Sequence, residues 1–214
     1  MSRSNGVTVA AFDVDGTLTT RDCVVPFLWR LGRRPAVAAQ LVRRTPDIVA
    51  GGLRCDRDRL RAAATAAVFA HLPWELVERE AGMFARLVVG ARLRPDTAAR
   101  LRWHAGEGHR VVLVSASYEV YLRHIAAALG ADGVLATRLD VDLDGRCTGR
   151  LDGANCRGVE KVRRLTTWLD RAGLERSAVT LWAYGDSAGD RELLAAADHP
   201  VWAGEPLASV APTA

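Results

Sequence analysis

Residues Val7–Thr17 read VTVAAFDVDGT, and this stretch decides the fold. The run Val7 to Phe12 is β-rich and apolar enough for a buried strand, and it stops abruptly at Asp13-Val-Asp15-Gly16-Thr17. Working outward, the same unit recurs. A second buried strand, Arg110–Val114, ends at Ser115-Ala116-Ser117, and a third, Val179–Tyr184, ends at Gly185-Asp186-Ser-Ala-Gly-Asp190. A short last strand is expected near Pro200 to Ala203. Helical patterns lie between them: Pro95 to Gly106, Tyr118 to Leu129 with Gly130 as its stop, Gly158 to Ala172, and a helix running from Asp190 to about Ala197. Val134–Leu143 and Arg146–Leu151 alternate around Asp144-Gly145 as a hairpin. Such alternation predicts an α/β fold, a mostly parallel sheet with helices on both faces. Ligands in such sheets bind outside the carboxyl ends of the strands, so Asp13, Ser115 and Asp186 are expected to share one site.

From Val24 to about Gly90 the pattern is helical instead, in four stretches broken by Gly32, Pro35, Pro46, Gly51-Gly52 and Pro73. The expected organisation is therefore a core formed by residues 1–20 and 95–214, with 21–94 inserted after the first strand as a small helical cap. Of the 29 basic residues only Lys161 is a lysine, so a compact ammonium stands where arginine was used everywhere else. Residues 21–95 carry 14 arginines against 7 acids, and the net charge of +4 leaves −3 for the remainder. This local basic surplus comes without zinc-finger spacing or an aromatic-rich basic strand, which argues against nucleic acid as a partner. No apolar run approaches the roughly 18 residues of a membrane span, and Met1 to Gly6 lacks a signal peptide's apolar core, so a cytoplasmic location is expected. The cysteines Cys23, Cys55, Cys147 and Cys156 are widely separated and read as reduced thiols.

The strand-end loops carry chemistry. Asp13 and Asp15 lie two residues apart, and two carboxylates that close need a cation or a shared proton, which separates their roles. Gly16 permits a tight turn, and Thr17 offers a hydroxyl and a backbone donor to an anion. Asp186 and Asp190 add the oxygen-rich surroundings that Mg2+ favours, while Lys161 and Ser115 are placed to meet a phosphate. Plainer readings compete: Asp13 and Asp15 as a turn, Lys161 as a solvated helix residue, Asp190 as the cap of the following helix. The run Asp140-x-Asp142-x-Asp144-Gly145 has Leu151 where a calcium loop needs a bidentate glutamate, so a hairpin turn is the better account. The five histidines show no ligand spacing. Trp29, Trp74, Trp103, Trp168, Trp182 and Trp202 are expected to fill core and cap interfaces.

FDVDGTLTT, VSAS, Lys161 within GVEKVRRL, and GDSAGDRELL resemble, in order, the four motifs of the haloacid dehalogenase superfamily of phosphohydrolases, and the likeness spans nearly the whole chain. A helical insertion directly after the first motif resembles the subfamily containing phosphoserine phosphatase (subfamily IB). The resemblance implies a Rossmann-like core, a Mg2+ cofactor and phosphomonoester hydrolysis through an aspartyl-phosphate. It implies Asp13 as nucleophile and Asp15 as the acid that protonates the leaving alkoxide and later activates water. Thr17, Ser115 and Ala116 are implied as phosphate contacts and Lys161 as the offsetting charge. The implied metal ligands are Asp13, Asp15 through its backbone carbonyl, Asp186 and Asp190. Relatives acting on carbon–halogen bonds lack the second aspartate, so Asp15 favours phosphate chemistry.

Specificity is implied to lie in the cap. Asp22 stands where phosphoserine phosphatases carry a glutamate for the substrate ammonium, but Leu60 to Ala67 offers mainly alanine where they carry an arginine for the carboxylate. Arg59 and Arg61 are the nearby replacements. The expected partner is thus a small phosphate monoester such as phosphoserine. An alternative follows from Val24–Arg44, where apolar residues interleave with Arg30, Arg33, Arg34, Arg43 and Arg44: peripheral contact with an anionic membrane and a phosphatidylglycerophosphate-type lipid substrate. The plainer account of that stretch is a helix packing its apolar side on the core. A non-catalytic binder of a phosphorylated metabolite is the third reading, disfavoured because it has no use for both nucleophile and acid. Oligomeric state is left open.

Overall fold

The computed structural model of the protein describes residues 6–32 and 57–204, with side chains in the second stretch from residue 61. Six strands, β1 (Val7–Phe12), β2 (Arg110–Tyr118), β3 (Gly133–Val141), β4 (Cys147–Asp152), β5 (Val179–Gly185) and β6 (His199–Trp202), form one sheet in the order β4-β3-β2-β1-β5-β6. All neighbours are parallel except the β3–β4 hairpin. The helices are α1 (Val24–Gly32), α2 (Arg57–Phe69), α3 (Trp74–Ala91), α4 (Pro95–Gly106), α5 (Glu119–Leu129), α6 (Val159–Arg171) and the single-turn α7 (Arg191–Ala195).

Strand β1 shows why the sheet is covered on both sides. Its residues alternate between two separate apolar clusters: Ala10 and Phe12 join Val111 and Leu113, while Val9 and Ala11 join Val112 and Val114. A strand with two buried faces must be apolar throughout, as VTVAAF nearly is. Phe12 also stacks on Tyr184 of β5 with ring centroids 4.2 Å apart, locking the two central strands in register at the end where their loops emerge. The chain order reverses between β1 and β5, which makes the carboxyl end of that pair the place where a crevice opens.

Two details differ from the sequence expectation. Strand β2 does not end at Ser115. Pairing resumes at Tyr118, so three steps along β2 match one along β3, from Ala136 to Thr137. Ala116 and Ser117 bulge out of the ladder, and Thr137 Oγ1 ties down the bulge by donating to the Ala116 carbonyl at 2.9 Å. Trp29 and Trp202 are not buried packing residues: Trp29 is 69% exposed, because α1 turns Val24, Phe27 and Leu31 inward and leaves Val25 and Trp29 on the opposite face, and Trp202, at the end of the edge strand β6, is exposed as well.

Inward, α1 behaves as an ordinary packed helix, with Phe27 against Phe84 and Tyr121 at centroid distances of 5.3 and 4.9 Å. Arg30, counted among the basic residues of the membrane reading, is bound to the buried Glu80 at 2.7 Å. Arg33, Arg34, Arg43, Arg44 and Cys55 lie outside the described residues. Among the described residues no helix is long and apolar enough to cross a membrane. The acidic run at the β3–β4 turn is held as a hairpin. Asp142 Oδ1 accepts from the amides of Asp144 and Arg146, and Asp140 Oδ2 accepts from Thr148 Oγ1 at 2.7 Å.

Candidate active site

The first functional loop is positioned by continuation of the sheet. The Asp13 amide donates to the Tyr184 carbonyl at 2.9 Å, carrying the β1–β5 pairing one residue past the strand and setting Asp13 beside the Gly185–Asp190 loop. The chain then turns sharply through Gly16, whose φ is +82°. A side chain there would be strained, and its Cβ would fall 2.0 Å from Asp186 Oδ2, so the turn and the approach of the two loops both require glycine. The third wall comes from α6. The Gly158 amide donates to the Gly189 carbonyl at 3.0 Å, anchoring the start of the helix to the Asp186 loop and bringing Lys161 beneath it.

Lys161 is 2% exposed, and its Nζ donates to Asp13 Oδ1 at 2.6 Å and to Asp190 Oδ1 at 2.5 Å. Asp190 Oδ2 accepts from Ser187 Oγ at 2.7 Å and from the amides of Ser187 and Asp186 at 3.0 and 3.3 Å. That carboxylate therefore turns back into its own loop and does not cap α7, for which no side-chain cap bond exists. Asp13, Asp186 and Asp190 each offer an oxygen within 4.8 Å of the others. An all-carboxylate donor set at the end of a rigid sheet suits a hard divalent cation such as Mg2+.

Asp15 points elsewhere. Its Oδ2 accepts from Ser117 Oγ at 2.5 Å and its Oδ1 from the Cys23 amide at 2.9 Å, while Tyr121 Oη donates to Ser117 Oγ at 2.7 Å. The two neighbouring aspartates thus face different partners: the chain's single lysine for Asp13, neutral donors for Asp15. Asp13, Asp15, Asp22, Ser115, Ala116, Lys161, Asp186 and Asp190 all line one cavity of about 210 Å3. The family model for haloacid dehalogenase-like hydrolases matches residues 10–195, which span every one of these positions.

The chain belongs to the haloacid dehalogenase-like hydrolase family. It is 38% identical over 192 residues to protein CicA of Caulobacter vibrioides, covering 89% of this chain and 83% of that protein. It is also 34% identical over 196 residues to the phosphoserine phosphatase of Halobacterium salinarum, covering 89% and 83%. Among solved structures it resembles a protein of unknown function from Bordetella pertussis Tohama I, with a TM-score of 0.73, 28% identity, and 89% and 87% of the two chains covered.

In this haloacid dehalogenase-like hydrolase, burial pushes the Asp13 carboxyl up to about 7, against the opposing pull of Lys161. Burial also raises Asp15, to about 6, with Ser117 and Cys23 pulling it back and the charge of Asp22 adding to the rise. Burial works against the Lys161 ammonium, but Asp13 and Asp190 outweigh it and keep the lysine charged.

Thr17 is the one expected site residue that does not line the cavity. Its hydroxyl donates to Asp186 Oδ1 at 3.4 Å and its amide to the Val14 carbonyl at 3.2 Å, so one donor is spent on the loop after β5 and the other on its own loop. Asp22 has a structural use as well, since its Oδ2 accepts from the Val25 amide at 2.8 Å and secures the first turn of α1. Of the two arginine candidates, Arg61 lines the cavity with its guanidinium 5.1 Å from the Tyr118 ring centroid; the side chain of Arg59 lies outside the described residues. The sequence reasoning missed Ser117 and Tyr121 as partners of Asp15, and Asn155, Arg157 and Ser187 as cavity walls. The first had a visible signal. Ser117 closes the Ser115-Ala116-Ser117 segment that the sequence places at a strand end, where the site is expected.

Proposed function

We propose that the protein is a Mg2+-dependent phosphomonoesterase working through an aspartyl-phosphate on a small organic phosphate such as phosphoserine. The chain is a phosphoric monoester hydrolase of the phosphoserine-phosphatase-like kind; the cofactor, the residue roles and the substrate make up the proposal. The observation that carries it is the unlike placement of the two aspartates, one against Lys161 and the acidic cluster, the other against neutral donors only.

Asp13 and Asp186 would hold the ion by their carboxylates and Asp15 by its backbone carbonyl, with Asp190 completing the acidic cluster while bracing Lys161 and the 185–187 loop. Bound there, Mg2+ supplies the positive charge that holds Asp13 ionised and screens it from an incoming phosphate dianion. In the first step an Asp13 oxygen forms a bond to phosphorus as the ester P–O bond breaks, and the Asp15 proton passes to the leaving oxygen to give the free alcohol. In the second step water attacks phosphorus, its proton goes to Asp15, and the Asp13–phosphorus bond breaks to release inorganic phosphate. A pKa of about 6 suits Asp15 to both directions of transfer near neutrality. Ser115 and the Ala116 backbone receive the phosphoryl oxygens, and Lys161 offsets the negative charge that Asp13 and the phosphoryl group bring together. Thr17 supports this indirectly by holding Asp186.

At the mouth, Asp22 and Arg61 offer opposite charges to a zwitterionic leaving group, and Arg61 Nη1 is buried without a hydrogen-bond partner among the described residues. A substrate carboxylate would satisfy it. The test is phosphate release from phosphoserine, sugar phosphates, nucleotides and short-chain phosphatidylglycerophosphate, with Mg2+ or EDTA, using wild type and Asp13→Asn. Release that requires Mg2+ and disappears in the variant is expected; release that survives Asp13→Asn rejects the mechanism.

A further inference from the structure

The cavity holds more cationic groups than a single phosphoryl group engages. Lys161 is already committed to Asp13 and Asp190 at 2.6 and 2.5 Å. Besides Arg61, a second arginine lines the same space, Arg157 in the turn before α6. Arg157 lies against the loop bearing Asp186 and Asp190: a Cβ on Gly189 would stand 3.0 Å from Arg157 Nε and 3.2 Å from its Cγ. A side chain at 189 would crowd the arginine, which would have to give by a few tenths of an ångström, so the glycine lets Arg157 pack closely on the loop. Yet Arg157 makes no side-chain hydrogen bond or ion pair with any described residue, although acidic groups line the cavity around it. An arginine held by packing and left unpaired keeps its planar set of donors for a ligand.

Depth decides which part of the ligand it meets. Lys161 is fully buried, whereas Arg157, four residues earlier in the chain, is half-buried and so reaches solvent where the lysine does not. In an in-line displacement the leaving group departs on the side of phosphorus opposite the nucleophile, so it extends from Asp13 towards the opening. We propose that Arg157 is a specificity residue that binds an anionic group on the leaving-group part of the substrate, a carboxylate or a phosphodiester, and thereby selects doubly anionic phosphate monoesters. This rests on the phosphatase reading for its catalytic context, but Arg157 is tested by binding that needs no turnover.

The experiment is calorimetry on the full chain with Mg2+, comparing 2-amino-4-phosphonobutyrate with 3-aminopropylphosphonate, which lacks only the carboxylate. Wild type is expected to prefer the first by about tenfold or more, the size of one charged hydrogen-bonded contact. Arg157→Gln should cut that preference about tenfold while leaving 3-aminopropylphosphonate affinity unchanged, Arg61 keeping its own contact with the carboxylate, and Arg157→Lys should restore part of it. In a turnover arm, phosphoserine and short-chain phosphatidylglycerophosphate are each compared with p-nitrophenyl phosphate. Whichever loses about tenfold in kcat/KM with Arg157→Gln carries the recognised anion. Equal weakening of both phosphonates would put Arg157 on the transferring phosphoryl group and overturn the proposal. Failure of wild type to bind either phosphonate, or an unchanged preference in Arg157→Gln, would overturn it too when joined by unchanged kcat/KM for both anionic substrates. A wild type that binds with the expected preference but hydrolyses nothing would sink the phosphatase reading alone.

Discussion

Replacing Lys161 by methionine tests the electrostatic account most directly. The methionine side chain is close in length and apolar, so packing is largely kept while the ammonium that donates to Asp13 and Asp190 at 2.6 and 2.5 Å is lost. Both aspartates are buried, and breaking such a buried pair from one side costs about 3–5 kcal/mol. For a chain of 214 residues this corresponds to a fall in Tm of roughly 6–20 °C. The loss must depend on pH. Asp13 already has a folded-state pKa of about 7, above its unfolded value of 3.8, and Lys161 is a group that pulls it down, so the variant raises it further. A carboxyl raised in the folded state binds its proton more tightly there than in the unfolded chain. Its contribution is therefore most favourable at low pH and is lost as pH rises through about 7. Circular-dichroism melts should show the full deficit at about pH 8.5 and a clearly smaller one at about pH 5.5. A deficit below about 2 °C at the higher pH, or one of equal size at both, would refute the reasoning.

Three further outcomes are expected. Ser117→Ala removes the donor at 2.5 Å from Asp15 Oδ2 that holds its pKa down, so the fall of kcat/KM with rising pH should move to higher pH; an unmoved limb would show that Ser117 does not act on Asp15. Gly16→Ala places a side chain at a φ of +82° and 2.0 Å from Asp186 Oδ2, so it should lower Tm and weaken the apparent affinity for Mg2+ in phosphate-release assays; unchanged values in both would mean that the loops accommodate it freely. His104 is fully buried between His109 and Tyr184, and burial, with the charges of His109 and Arg100, lowers its pKa to about 3. The unfolded chain then binds this proton more readily, so stability should be lost as pH falls below about 6.5, and a His104→Gln variant should show a flatter Tm profile over that range.

Much of the fold was legible because burial writes itself into composition. A strand covered on both faces is apolar, as Val9 to Phe12 shows, and the polar residues that follow mark where it leaves the core. The β2 bulge was not legible, since it depends on how β2 and β3 meet at Ala136 and Thr137, a pairing between distant segments. The same limit applies to α1, where helical spacing indicated an amphipathic element but not that Trp29 would face outward.

For the site, the order of residues alone specifies which chemical groups are available and which strand ends carry them: two aspartates after β1, two after β5, and one lysine in a chain of arginines. Tertiary structure alone decided how those groups divide. Asp13 faces Lys161 across 148 positions, Asp15 faces Ser117 across 102, and Thr17 turns inward to Asp186 across 169. The physical reason is that a side chain's type is local, whereas its charge state and its freedom to meet a ligand depend on which donors, charges and water-excluding surfaces surround it, and those arrive from elsewhere in the chain.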